Sequence, residues 1–365
     1  MKNIAVFLGG ESVEHDISII TGVMTVNSID KEKFTPLPIY ISNEGEWYTG
    51  ESLFDLDEYK KLNLKKLKKV TLISGNNALY AVKGKKLKQI AVIACALNCL
   101  HGERGEDGCL AGLLNMCKIP IASPPMLPSA VSIDKNFTKT VMRALKVKTL
   151  DGVVVKGATG IEEANKNISY PVIVKPNKLG SSIGVSRAKN EQELESALSY
   201  AMRFGENVLV EPCLEDFIEI NCAAYRSADG SVRVSECERP IGASKLLSFD
   251  DKYESGSRVF PADIDKKISD KIKNITKKIY ASMGFNGVIR IDFFVVGKEV
   301  YLNEINTVPG SLAYYLFCDT LKEFSAMLTE LIEVALKDFA KEQTTVKSFN
   351  SGILAFSGGK SCKRL

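Results

Sequence analysis

The chain has 365 residues, 45% of them hydrophobic, and a net charge of +4 at neutral pH; that length suits two or three domains with cores of their own, and so slight a charge does not imply a nucleic-acid partner. No stretch is apolar for long enough to span a bilayer. Nine scattered cysteines without a C-x-x-C pair, and only His15 and His101, point to reduced thiols in a cytoplasmic protein and against a His-rich zinc site.

MKNIAVFLGG reads as a first core strand, Ile4 to Leu8, rather than a signal peptide, which needs a longer apolar region. A Gly9-Gly10 turn leads to a helix over 17–29, then strands are predicted at 34–41 and 90–97 and a helix at 109–117. Strands alternating with helices imply a wound parallel sheet. Between them YKKLNLKKLKKV, 59 to 70, is either a phosphate- or nucleic-acid-binding patch or a solvated, mobile segment. No aromatic residues interleave as stacking platforms, which favours the second. IPIASPPMLPS, 119 to 129, marks a domain boundary. Helices follow at 134–145, around 162, and at 191–202, with a strand near Val153. Beyond Val208 the chain is richer in strands (VLVEP, EINCAAY, VRVSEC), followed by helices at 269–283 and 322–339.

Four segments carry chemistry. In RIDFFVVGKEVYLNEINTVPG a three-residue loop, Gly297-Lys298-Glu299, puts Asp292 opposite Glu304 and Arg290 opposite Asn306, all on one face. A two-residue loop would send the acids to opposite faces. Converging carboxylates and an amide oxygen suit magnesium; alternatively Arg290 simply pairs with Glu304. In PVIVKPNKLGSSIGVS a strand delivers Lys175, and a Gly/Ser loop lets backbone N–H groups approach a phosphate, unless it is an ordinary hairpin turn. It is not a Walker A loop. In CLHGERGEDGCLAGLL, His101 ends a strand where open sheets bind ligands, or is structural; Glu106 and Asp107 cap the next helix. A Cys-His nucleophile pair using Cys99 or Cys109 is a weaker reading. In GGESVEHDIS, Glu14 meets a substrate ammonium or merely starts a helix.

Together and in this order, GGESVEHDIS, HGERGEDG, SIDKNFTK, VIVKPNKLGSSIGVS, VEPCLEDFIEIN, DDKYE, RIDFF and LNEINTVPG resemble the D-alanine–D-alanine ligases of the ATP-grasp superfamily. The resemblance covers about residues 1 to 340. It implies mixed α/β and α+β architecture: an ATP-grasp fold behind an N-terminal wound parallel-sheet, Rossmann-like domain. The implied units are an N-terminal substrate-binding domain (1–123), a central ATP-grasp domain (124–213), a C-terminal catalytic domain (214–342) and a tail without an assigned role (343–365).

By the same resemblance, Lys135, Lys175 and Ser182 bind ATP phosphates. Glu211 and Leu214 meet adenine, Glu219 binds the ribose, and Phe294 completes the nucleotide pocket. Asp292, Glu304 and Asn306 look like ligands of two Mg²⁺ or Mn²⁺ ions. Glu14 holds the first D-alanine's ammonium and His101 lies beside its carboxylate. Ser181 and Tyr253 lock a closing loop, Arg290 and the Gly310 N–H stabilise an oxyanion, and Lys252, Ser311 and Leu312 meet the second substrate. The implied reaction joins two D-alanines through an acyl phosphate for peptidoglycan precursor synthesis. D-alanine and ATP are the expected partners, with no nucleic acid or membrane, in a homodimer. D-serine or D-lactate as second substrate, or another carboxylate–amine ligation, are the alternatives within the superfamily. A basic nucleic-acid-binding protein is the alternative outside it. SLAYYLF after Pro309-Gly310 is compact for the family, which leaves the Ser311-Leu312 assignment open.

Overall fold

The computed structural model describes residues 1–157, 168–241, 257–349 and 351. The N-terminal region opens with β1 (Lys2–Gly9), α1 (His15–Ser28) and β2 (Phe34–Ile41), a right start for a parallel pair, and β1 indeed pairs in parallel with both β2 and β6 (Lys86–Asn98). The sheet is not wholly parallel. β3 (Trp47–Thr49), β4 (Lys68–Leu72) and β5 (Ala78–Lys83) bridge β2 to β6 in antiparallel steps and close a six-stranded barrel. The lysine-dense segment forms short 3-10 turns and then β4, so it is solvated but structured. Its apolar residues explain why: Leu62, Leu64 and Leu67 pack on a core beneath, while the lysines face water. α2 (Cys109–Met116) covers the barrel.

The Pro-rich stretch ends in a helix, α3 (Met126–Ile133), that the prolines hid in the sequence. Pro128 is tolerated because it lies in the first turn, where its missing N–H has no helical acceptor. α4 (Lys135–Ala144) begins at Asp134, whose carboxylate accepts the N–H groups of Asn136 and Phe137 at 3.1 and 3.0 Å. Such a cap is worth about 1 kcal/mol. It also fixes Lys135 and Lys139 on one buried face, one turn apart.

Two four-stranded antiparallel sheets follow. One has the order β7 (Val153–Lys156), β10 (Asn207–Pro212), β8 (Val172–Pro176), β9 (Ser186–Ala188), backed by α5 (Glu191–Ala201). The other has the order β12 (Val232–Val234), β11 (Ile218–Arg226), β15 (Val288–Val296), β16 (Glu299–Asn306), backed by α6 (Lys266–Met283). A small pair, β13 (Arg239–Pro240) and β14 (Arg258–Val259), sits beside the second sheet. α7 (Leu321–Gln343) starts with a full capping box at Thr320 and packs against α1. The predicted helix around Glu162 lies outside the described residues.

Candidate active site

The hairpin of β15 and β16 reaches the expected pairing by a different route. The loop has two residues, Gly297 and Lys298, since Val296 pairs with Glu299 and Val295 with Val300. A bulge at Asn303 then shifts the register by one, so Asp292 faces Glu304 and Arg290 faces Asn306. The three-residue loop is therefore corrected, yet the acids share a face. The bulge sends both Asn303 and Glu304 toward the site, while Leu302 and Ile305 enter the core.

Two chambers meet along this hairpin. The first lies between the two antiparallel sheets and is lined by Lys135, Lys175, Ser182, Glu211, Leu214, Glu219, Phe294, Asn303 and Glu304. Lys175 comes from β8, where alternation turns Val172 and Val174 into the core and Ile173 and Lys175 into the chamber. The loop that follows turns through left-handed Ser181 (φ 52°) and Ser182 (φ 57°). At Gly184 (φ +75°) a Cβ would meet Pro176 Cγ at 2.7 Å and Phe204 Cδ2 at 2.9 Å, so only glycine fits there. The Glu211 side chain has a task the sequence did not suggest. It is buried between Lys139, 2.9 Å away, and Lys175. Burial alone would raise its pKa, but the two ammonium groups outweigh that and lower it. Lys139 also donates to Leu150 O at 2.7 Å, and burial depresses its pKa despite Glu211. Lys175 donates to Asn303 Oδ1 at 3.2 Å. Lys135 donates to Leu179 O at 2.6 Å and stands 3.6 Å from Glu304.

The second chamber is lined by Glu14, His101, Glu106, Ser181, Arg290, Glu304, Asn306, Gly310 and Ser311. Ser181 donates its hydroxyl to Glu14. His101 is held by Thr21 Oγ1, 3.0 Å from Nε2, and its backbone N–H donates to Ser18 Oγ at 2.8 Å. Burial, reinforced by the Arg290 charge, pulls its pKa to about 3, so the ring is neutral at working pH. His15 is structural, bonded to Gly10 O and the Tyr40 hydroxyl. Glu106 does not cap α2, whose Cys109 N–H donates to Asp107 instead; its carboxylate accepts the Gly102 N–H at 3.0 Å and the Val308 N–H at 3.1 Å. It thereby ties the His101 loop to the turn after β16, and burial followed by the Glu14 charge raises its pKa. A Cys-His nucleophile finds no support, since the His101 ring bonds Thr21. The Cys99 thiol is wholly buried and pushed up to about 12, and exposed Cys109 is also shifted upward by desolvation and Asp107.

Arg290 pairs with Asp292 rather than Glu304, through Nε at 2.8 Å and Nη2 at 2.9 Å, and Asn306 Nδ2 adds a bond to the same carboxylate at 3.0 Å. Asp292 thus balances Arg290 while Glu304 opens to both chambers. No group of three His, Cys, Asp or Glu side chains with metal-site geometry occurs among the described residues. A set of two carboxylates and one amide oxygen on one face nonetheless has the hard-oxygen character that suits a small divalent cation completing its shell with phosphate and water.

After Gly310 three non-glycine residues in succession are left-handed: Ser311 (φ 53°), Leu312 (φ 50°) and Ala313 (φ 49°). Each costs roughly 1–2 kcal/mol. The turn is held by Ser311 N–H donating to Thr21 Oγ1 at 3.1 Å, by Leu312 N–H donating to Pro309 O at 2.8 Å, and by burial of Leu312. The space a Cβ on Gly310 would enter is open. Lys252 and Tyr253 lie outside the described residues. Lys139, Asn303 and Thr21 are site-forming residues that sequence reasoning passed over. Lys139 was the most legible of these, being one helical turn from Lys135.

Comparison with known proteins adds the following. Residues 3–124 match a family model for the D-ala D-ala ligase N-terminus, and residues 146–337 match one for the D-ala D-ala ligase C-terminus. The chain is similar to a D-alanine–D-alanine ligase of Thermosipho melanesiensis, 36% identical over 99% of this chain and 100% of the relative. A crystal structure of D-alanine–D-alanine ligase from Helicobacter pylori matches with TM-score 0.76 and 32% identity, covering 91% of this chain and 98% of that one. The VanG D-Ala:D-Ser ligase from Enterococcus faecalis matches with TM-score 0.78 at 27% identity, covering 92% and 98%.

Proposed function

The chain belongs to the D-alanine–D-alanine ligase family, and on that premise we propose that it ligates two D-alanines, with ATP cleaved to ADP and phosphate, to supply peptidoglycan synthesis. The observation that carries the reading is Glu304, which lines both the lysine-rich chamber and the chamber of Glu14, His101 and Arg290. A γ-phosphoryl group held at that lip can pass from one chamber's occupant to the other's.

ATP occupies the first chamber in this reading. Lys135 and Lys175 face its phosphates, with Ser182 and the small loop around it as backbone donors. The segment from Glu211 to Leu214 meets the adenine through its backbone, Glu219 takes the ribose, and Phe294 flanks the nucleotide. Asp292, Glu304 and Asn306 would hold Mg²⁺ or Mn²⁺, two ions in all, which when bound screen charge on the transferring phosphoryl group. The first D-alanine sits with its ammonium at Glu14 and its carboxylate beside neutral His101. That carboxylate attacks the γ-phosphorus, and ADP leaves. Protein groups contribute positioning and charge stabilisation here, little else. The deprotonated amine of the second D-alanine then attacks the acyl phosphate. Arg290 and the Gly310 N–H stabilise the oxyanion, a term worth about 3–4 kcal/mol per donor in other enzymes, and phosphate leaves. Ser181 with Tyr253 and Lys252 closes the site against water. The functional units are those of the sequence reading: 1–123, 124–213 and 214–342.

Incubation with ATP, Mg²⁺ and D-alanine, D-serine and D-lactate at equal concentration tests this. D-alanyl-D-alanine should dominate, with one ADP and one phosphate per bond. AMP and pyrophosphate would exclude the acyl phosphate, and dominant alanyl-serine would transfer the chain to the D-serine-using branch.

A further inference from the structure

Charge is not spread evenly along this chain. Residues 59–102 hold ten lysines, no arginine and no acidic residue, so the rest of the chain is net negative although the whole is +4. All ten lysines are exposed. Lys60 is paired with Asp57 at 2.7 Å and Lys69 with Glu46. Among the described residues no ion pair reaches Lys83, Lys85, Lys86 or Lys88, which crowd the tip of the β5–β6 hairpin around its Gly84-Lys85 turn. Lys83 and Lys86 face each other directly across the ladder, an arrangement that weakens a hairpin.

Apolar surface lies beside these charges. Val82 pairs with Leu87, Tyr80 with Gln89 and Ala78 with Val92, so alternation sets Leu87 and Val92 on the same face of the sheet. A register shift between Leu79 and Tyr80 leaves Ile90 as the extra residue of β6. Leu87 is 49% exposed, Val92 47% and Ile90 38%. The other face turns Leu79 and Ala91 into the barrel core. None of residues 59–100 lines either chamber.

An aliphatic face rimmed by unpaired lysines fits the surface of an anionic bilayer. The negative potential there draws in clustered lysines, and aliphatic side chains enter the boundary between headgroups and acyl chains. Lysine is a compact point charge on a flexible stem, which suits a fluid field of headgroups without fixed geometry. A second copy of this chain would set lysine against lysine. A nucleic acid finds no stacking platform, because Tyr80, whose ring lies on this face, is half-buried and its hydroxyl accepts from Asn76 Nδ2 at 3.1 Å. No helix among the described residues is long and apolar enough to cross a membrane, so the contact is peripheral.

We propose that the β5–β6 hairpin, with Lys83, Lys85, Lys86 and Lys88 around Leu87, docks this chain on anionic lipid membranes through a surface that takes no part in either chamber. Such docking is independent of the ligase reading.

Flotation of the full chain with vesicles tests it. At about 0.1 M NaCl, vesicles of phosphatidylglycerol and phosphatidylcholine should carry the chain upward, vesicles of phosphatidylcholine alone should not, and a severalfold rise in salt should release it. Each lysine near an anionic surface contributes roughly fivefold in affinity, so combined Lys83→Gln, Lys85→Gln, Lys86→Gln and Lys88→Gln should weaken binding about a hundredfold or more. Lys85→Glu alone, in the turn outside both strands, should weaken it in the same direction and serves if the fourfold variant fails to fold. Leu87→Ser with Val92→Ser should weaken binding severalfold at constant charge. Glutamine at Lys266, Lys267, Lys271 and Lys277 on α6 removes the same charge elsewhere and should leave vesicle binding within about threefold, since screening confines the effect of a charge to its neighbourhood. Dipeptide formation in solution should match the wild type in every variant. No binding to anionic vesicles, equal binding to neutral ones, or an equal loss in the α6 variant overturns the assignment. So does a short DNA duplex that strips the chain from vesicles at equal phosphate, which would make the partner a nucleic acid, and so does self-association abolished by the hairpin changes, which would make it a second copy.

Discussion

Glu211→Gln is the sharpest probe of the nucleotide chamber, because one carboxylate there serves two buried ammonium groups. At an effective dielectric of 20, the 2.9 Å contact with Lys139 corresponds to roughly 6 kcal/mol of attraction. The Lys175 contact is comparable, and repulsion between the lysines removes part of the sum. Glutamine keeps the shape but carries no charge, and its single oxygen can serve only one ammonium well. Desolvation already opposes the pair, so the net loss should be about 3–5 kcal/mol in the absence of nucleotide. Its signature is a pH dependence. Burial already lowers the Lys139 pKa, and removing the Glu211 charge lowers it further. A lysine with a depressed native pKa binds fewer protons folded than unfolded, so stability rises with pH from the native pKa up to the unfolded value near 10.4. The variant's deficit, measured by urea unfolding followed by circular dichroism, should therefore shrink between pH 7 and pH 9. Adding Lys139→Met should restore much of the loss. A deficit that is absent, or that grows with pH, would refute the account.

Three further outcomes follow from the geometry. Glu304→Gln should lower dipeptide formation more than about a hundredfold, beyond the usual loss for a residue one shell removed from a metal, with an unchanged circular dichroism spectrum. The native His101 refuses a proton until about pH 3, whereas the unfolded chain accepts it near 6.5, so folding loses stability as pH falls through that window; in His101→Asn the fall in urea midpoint from pH 7 to pH 4.5 should be smaller. Replacing Lys65, Lys66, Lys68 and Lys69 together with glutamine should leave the KM for ATP within about twofold, because solvated charges are screened over about 10 Å, and a large rise in KM would move the run into the site.

Period and punctuation made most elements legible. The β2 and β15 boundaries are those read from the sequence, and α4, α5 and β16 differ by a single residue at one or both ends, because alternation, the Asp134 and Asn190 caps and the glycine turns are local signals. β3 to β5 were not legible. β3 is only three residues long, and the lysine-dense run that leads into β4 resembles loop; burial of Leu62, Leu64, Leu67 and Val70 is what makes structure of that run. The prolines around α3 concealed a helix in the same way.

The residue types for phosphate, oxygen-ligand and oxyanion chemistry, and their order along the chain, were determined by the sequence alone, since each sits beside a local turn or cap that the composition reveals. The tertiary structure decided how they are paired. Whether Asp292 and Glu304 share a face depended on the bulge at Asn303, which compensates a loop one residue shorter than expected. Arg290 neutralises Asp292 and not Glu304, Glu211 is divided between Lys139 and Lys175, and Glu106 joins the first region to the last. Electrostatic partners are chosen by distance and desolvation in three dimensions, and neither quantity is encoded in residue spacing once the partners lie on different sheets.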